Sequence, residues 1–150
     1  MAQQRLLLPF TYGIDEQAID NVLRFAKATK ATIVALALIL VPDQSHCENV
    51  RPELVQQATD FQEMMAARAK FYAVPVEHQE CFTESISAST GAALQLAECQ
   101  GLILIQKEQK PCLLQPDEAV QLQRALKVTF YNLHIPARQK AKKKLLQRAP

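Results

Sequence analysis

Thr32-Ile-Val-Ala-Leu-Ala-Leu-Ile-Leu-Val41 is the stretch on which the fold turns. No charged side chain interrupts it, so it has no polar face to offer to water and reads as a strand covered on both sides. It is far short of the roughly 20 apolar residues a membrane-spanning helix requires. Leu6-Leu-Leu-Pro-Phe10 and Leu102-Ile-Leu-Ile105 have the same character, and helical periodicities fill the intervals between these runs. Ala18, Val22, Phe25, Ala26 and Thr29 recur in steps of three and four, with Asp15 placed as an N-cap before them. A second helix starts near Pro52 and carries Leu54, Ala58, Phe61, Met65 and Arg68 on one stripe. A third follows Ser87 or Ser89 and turns Ala92, Ala93, Leu96, Ala97 and Cys99 inward. The fourth opens at Pro116-Asp-Glu118, whose carboxylates suit the positive end of a helix dipole, and runs to about Leu126.

Two further strands complete the alternation. Residues Val74 to Phe82 place Val74, Val76, His78, Glu80 and Phe82 on one face, the pattern of a partly buried strand near an edge. Val128 to Ile135 changes phase after Phe130, which predicts either a bulge or two differently covered faces. Strands separated by helices require parallel crossovers. The expectation is an α/β three-layer sandwich with a five-stranded, mainly parallel sheet and about four helices, Rossmann-like in plan.

The chain has 150 residues and 49% hydrophobic composition, enough for one domain with a sizeable core. A net charge of +2 excludes a chain that coats nucleic acid through its overall charge. That charge is divided unevenly. Arg138, Lys140, Lys142, Lys143, Lys144 and Arg148 lie beyond Pro136 with no acidic residue among them, leaving eleven basic against fifteen acidic side chains in residues 1–137. Residues 1–136 are therefore expected to form the α/β domain and 137–150 a basic tail, able to make weak, salt-sensitive contact with an acidic partner or anionic surface but without specificity for a nucleic acid. The Met1-Ala-Gln-Gln start lacks the basic, apolar, small-residue order of a secretory leader, so a cytoplasmic location is expected. Cys47, Cys81, Cys99 and Cys112 have no close pair for a zinc site or redox dithiol and read as buried or incidental thiols.

Several local strings resemble the universal stress protein family. Arg5-Leu-Leu-Leu-Pro-Phe10 is similar to that family's first strand, Phe25-Ala-Lys-Ala-Thr-Lys-Ala-Thr32 to the junction of its first helix and second strand, and Gly101-Leu-Ile-Leu-Ile-Gln106 to its fourth strand. The resemblance covers roughly residues 4–136 and implies the adenine nucleotide alpha hydrolase-like variant of the fold, with pairing of two chains through the last strand. It also implies where a nucleotide would sit. ATP-binding members carry an Asp just after the first strand, and after the fourth a pattern of Gly, two residues, Gly, nine residues, then Gly with Ser or Thr. Here Thr11 or Tyr12 stands at the first place and Gln106-Lys-Glu-Gln109 at the second, and no glycine follows Gly101. The resemblance therefore implies the branch that does not bind ATP, with no cofactor.

Candidate chemistry is sparse. Ligands of open α/β sheets sit beyond the carboxyl ends of the strands, where the strand order reverses. That places Thr11, Tyr12, Gly13, Val41, Asp43, Thr83, Glu84, Ser85, Gln106 and Lys107 around a crevice, of which Thr11, Tyr12, Gly13, Thr83 and Gln106 are the ligand candidates. His46, His78 and His134 have no metal-ligand spacing. Ser85, Ser87, Ser89 and Thr90 lack the Gly-x-Ser-x-Gly elbow that exposes a nucleophile and read as caps of the third helix. Glu77 and Glu80, three apart in a strand, point to opposite faces and form no acid/base couple. The expectation is a non-enzymatic regulatory or signalling protein acting through protein contacts; the alternative is a nucleotide- or small-metabolite-binding domain using non-standard crevice residues. A homodimer is expected through the last strand, with Phe130 and Tyr131 at the contact.

Overall fold

The computed structural model describes residues 4–10, 16–41, 52–107 and 116–135. Five strands and four helices alternate: β1 (Gln4–Phe10), α1 (Glu16–Thr29), β2 (Ala31–Leu40), α2 (Pro52–Tyr72), β3 (Val76–Thr83), α3 (Ile86–Leu96), β4 (Gly101–Lys107), α4 (Pro116–Leu126) and β5 (Thr129–Ile135). The sheet is parallel throughout, in the order β3-β2-β1-β4-β5.

The decisive run, β2, is buried at every position from Ala31 to Ile39 because both of its faces meet helices. Its odd residues Ile33, Ala35, Ala37 and Ile39 join Val22 and Leu23 of α1 and Phe61 and Met65 of α2 in one apolar layer. Its even residues Val34, Leu36 and Leu38 join Ala93 and Leu94 of α3, with Leu122 and Leu126 of α4 packed alongside, in a second. Period-two alternation thus sorts one apolar run into two cores, and the result is three layers. Each large aliphatic side chain buried in this way contributes about 1.5–3 kcal/mol.

Local expectations met tertiary constraints in several places. The third helix starts at Ile86, earlier than Ser87 or Ser89 would allow, because Ser85 is extended (φ −131°, ψ 113°) and its hydroxyl accepts from the Ala88 amide at 3.3 Å. Its inward face is consequently Thr90, Ala93 and Leu94; Ala92 is exposed and Leu96 is 85% exposed. Thr29 is also exposed, its hydroxyl donating back to the Phe25 carbonyl at 2.9 Å. Strand β3 lies at an edge, as its alternation requires, but runs from Val76 to Thr83. Its better covered face carries Gln79, Cys81 and Thr83, opposite to the set predicted from Val74, Val76, His78, Glu80 and Phe82. Strand β5 contains no bulge. It pairs with β4 in unbroken register from Gly101↔Thr129 to Lys107↔Ile135, and its phase change reflects two covered faces: Phe130 packs on the second core, Tyr131 and Leu133 on the first.

All four helices leave through a left-handed residue, and none of these is glycine: Lys30 (φ 56°), Ala73 (φ 57°), Glu98 (φ 53°) and Lys127 (φ 52°). After α2 and α3 the turn closes further, with Val74 N–H donating to Ala69 O and Cys99 N–H to Leu94 O, both at 3.0 Å. Val74 and Cys99 are buried, as the apolar residue of such a helix terminus usually is.

Candidate functional site

The strand order reverses between β1 and β4, and the two strands separate there. Register between β1 and β2 runs the whole length from Gln4↔Ala31 to Phe10↔Ala37, whereas β1 and β4 pair only at Leu6↔Gly101 and Leu7↔Leu102. Pro9, which has no N–H to give, lies in the part of β1 that pairs with β2 but not with β4. The opening faces the carboxyl ends of the strands, where the candidate crevice was expected.

Among the described residues the carboxyl edge of the sheet carries an aromatic stack and, at the end of β3, a hydroxyl cluster. The Phe10 ring lies flat on Phe61, with centroids 4.2 Å apart and planes within 4°. Val41 is buried and its N–H donates to the Thr83 carbonyl at 2.9 Å. The Thr83 hydroxyl accepts from the Ser85 N–H at 3.0 Å and from the Ser89 hydroxyl at 2.6 Å, and donates to the Ser85 carbonyl at 2.7 Å. Ser85 in turn caps α3 and contacts the Ser87 hydroxyl at 3.3 Å. These hydroxyls hold the β3–α3 turn together; only Ser85 acts as the cap that all four were expected to supply. Thr90 has its hydroxyl fully buried and without a partner. Thr11, Tyr12, Gly13 and Asp43 lie outside the described residues, as do Cys47, Cys112, His46 and the basic tail. The backbone of Gln106 and Lys107 forms the end of β4, level with His134 and Ile135 of β5.

Each of the first four strands is followed by a helix that runs back across the sheet, so helix starts gather at the carboxyl edge and helix ends at the amino edge. Carboxylates occupy the first turn of three helices, Glu16 in α1, Glu53 in α2, and Asp117 and Glu118 in α4, and basic residues occupy the last turns, Lys27, Lys70 and Arg124. Such charges suit the helix dipoles.

The amino edge holds a polar hub that the sequence did not disclose. Arg5 of β1 pairs with Glu77 of β3 across the intervening β2, and its Nε donates to the Ala97 carbonyl at the end of α3 at 2.7 Å. The Arg5 N–H donates to the Gln100 side-chain oxygen at 2.7 Å and its carbonyl accepts from Gln100 N–H at 2.9 Å. The hydrogen bond that Arg5 donates to Glu77 raises the Arg5 pKa and lowers the Glu77 pKa. Nearby, burial pushes the Cys99 thiol up to about 11. A pair 72 residues apart and two strands away leaves no local signal.

His78 and Gln62 share a hydrogen bond through Nδ1, and among the described residues no group of three or more His, Cys, Asp or Glu side chains converges. Among the described residues no helix is long and apolar enough to cross a membrane. Phe130 and Tyr131 are half-buried on opposite faces of β5, Tyr131 against Phe25 with centroids 5.0 Å apart and its hydroxyl accepting from Gln4 Nε2 at 3.2 Å. Among the described residues no strand pairs with the outer edge of β5.

No family model and no curated protein matches the sequence. Solved structures do match the fold. A universal stress protein family member from Burkholderia pseudomallei superposes with a TM-score of 0.61 at 15% identity, over 89% of this chain and 96% of that one. The universal stress protein of Archaeoglobus fulgidus in complex with dAMP gives 0.58 at 9% identity, over 90% and 99%. An Arabidopsis thaliana family protein with AMP bound gives 0.56 at 8% identity, over 91% and 94%. The chain has the universal stress protein fold.

Proposed function

We propose that this chain is a non-enzymatic regulatory protein of the universal stress type that acts through protein contacts and does not bind ATP in the standard way. The observation that carries this reading is the crevice edge. Gln106-Lys-Glu-Gln109 stands in the sequence where the first glycine step would be and no glycine follows, so the sequence beyond Gly101 lacks residues that let a backbone close around phosphate oxygens. The hydroxyls of Thr83, Ser85 and Ser89 are committed to the β3–α3 turn, which supports a structural role for them over a nucleophilic one.

The second reading, a nucleotide- or small-metabolite-binding domain using Thr11, Tyr12, Gly13, Thr83 and Gln106, is favoured by the splay between β1 and β4 and by the AMP and dAMP carried by two similar structures. Thermal denaturation with ATP, AMP, cyclic dinucleotides and coenzymes separates the two. A ligand at a hundredfold excess over its Kd adds roughly 2.7 kcal/mol of stability. Unchanged melting across the panel is the expected result; a saturable rise with ATP refutes the first reading.

A homodimer through β5 belongs to the same proposal. Thr129–Ile135 is an edge strand with no Lys, Arg, Asp or Glu to discourage pairing. Because Phe130 and Tyr131 pack within their own chain, the backbone edge would make the main contact. Light scattering at high concentration tests it, and a 16.8 kDa particle refutes it.

A further inference from the structure

We propose that the seam between α1 and the last turns of α2 is a docking surface for an acidic polypeptide segment bearing an apolar anchor side chain. The inference rests on the protein-contact reading above and names the surface and the partner's chemistry.

Phe71 is 75% exposed, near the end of α2. It is not a loose side chain. Tyr72 meets its ring edge-on, centroids 5.1 Å apart and planes at 85°, and the Arg68 guanidinium lies over it, 5.6 Å from the centroid. Arg68 is itself fixed, donating through Nε and Nη2 to the two carboxylate oxygens of Asp20 in α1 at 2.8 and 2.7 Å. Arg24 of α1 sits 6.0 Å from the Tyr72 centroid. An apolar ring held in one place by its neighbours loses little entropy on binding and suits an interface anchor.

Toward the ends of the two helices cations predominate in the sequence. No acidic residue follows Asp20 in α1 or Glu63 in α2, while Arg24, Lys27, Arg68 and Lys70 lie in those stretches and Lys30 directly follows α1. Asp20 and Glu16 face Arg68, but among the described residues no carboxylate pairs with Lys27, Lys30 or Lys70. Carboxylates of a partner would meet these cations while an aromatic or aliphatic residue covers Phe71. The geometry favours a polypeptide over a single-stranded nucleic acid, because stacking platforms offer bases an open ring face and here guanidinium groups lie over both rings. It favours a polypeptide over a membrane because one exposed ring is a small apolar surface for insertion.

The experiment pans a displayed library of random twelve-residue peptides against the full chain and against Phe71→Ala, Lys27→Glu and Lys70→Glu, whose melting curves establish that each folds. Peptides rich in Asp and Glu around Leu or Phe are expected to be enriched. A synthetic peptide of the enriched sequence should lose tenfold or more in affinity with each substitution. The basic tail attracts acidic peptides regardless of Phe71, so the Phe71→Ala arm separates the two sites. Enrichment that is the same on the Phe71→Ala protein, or that lacks acidic residues, overturns the proposal. So does a (dT)12 oligonucleotide or a phosphatidylserine vesicle that binds the full chain and is lost with the same three substitutions. An ATP-induced rise in melting temperature would refute the non-nucleotide reading while leaving the panning result intact, and a failed panning would leave the ATP result intact.

Discussion

Replacing Lys30, Ala73, Glu98 and Lys127 by glycine should stabilise this protein. Each residue ends a helix at a φ between 52° and 57°, where its Cβ crowds the backbone at a cost of about 1–2 kcal/mol. Glycine removes that cost but loses more freedom on folding, which returns about 0.5–1 kcal/mol. All four side chains are exposed, and the hydrogen bonds at these turns are made by backbone groups, as in Ala73 N–H to Lys70 O at 3.3 Å and Lys127 N–H to Gln123 O at 3.0 Å. The net gain is about 0.5–1 kcal/mol per site. The sites end four different helices and share no partner, so the quadruple variant should gain about 2–4 kcal/mol. At about 2–4 °C per kcal/mol for a chain of this size, its Tm should rise by several degrees or more. Ala73→Gly is the cleanest single test, since it deletes only a methyl group. Ala67→Gly on the exposed middle of α2 is the matched control and should cost about 1 kcal/mol. Circular dichroism melts with urea titrations read the effect. If Ala73→Gly destabilises the protein as Ala67→Gly does, the left-handed helix exit is not strained and the reasoning fails.

Gly101→Ala should be destabilising, because a Cβ there would lie 2.6 Å from Leu6 Cδ2 and 2.8 Å from Tyr131 Cε2; a urea titration should show a loss of about 1–3 kcal/mol. Thr90→Val keeps the shape of a fully buried side chain and removes a hydroxyl with no partner, so stability should hold or rise by about 1 kcal/mol in the same assay. The Arg5–Glu77 pair predicts a pH dependence. Arg5 lowers the folded-state pKa of Glu77 below its usual 4.5, so the pair's contribution is full above 4.5 and is lost as pH falls through the lower folded value. The stability difference between the wild type and Glu77→Gln should therefore shrink in acid, and a constant difference from pH 7 to pH 3 would contradict the pairing.

The apolar runs and their spacing were enough to specify the element order, the three layers and the place of β3 at an edge, because a strand covered on both faces must be apolar on both and a helix on a sheet must carry a stripe. The missing glycines after β4 were equally legible, since absence of a residue type needs no contact to interpret. The helix-end strain at Lys30, Ala73, Glu98 and Lys127 had no such sign: these residue types ordinarily avoid a positive φ, and only the packing of each helix back into the next strand imposes it. Where α3 begins depended on Ser85 taking the cap two to four residues before the Ser87 or Ser89 expected, a choice made by its own and Thr83's hydroxyls together. The Arg5–Glu77–Ala97 hub and the cationic seam around Phe71 were beyond the sequence for a single reason. Each joins residues far apart in the chain, and whether a charge is paired or open depends on partners that only the folded chain brings within reach.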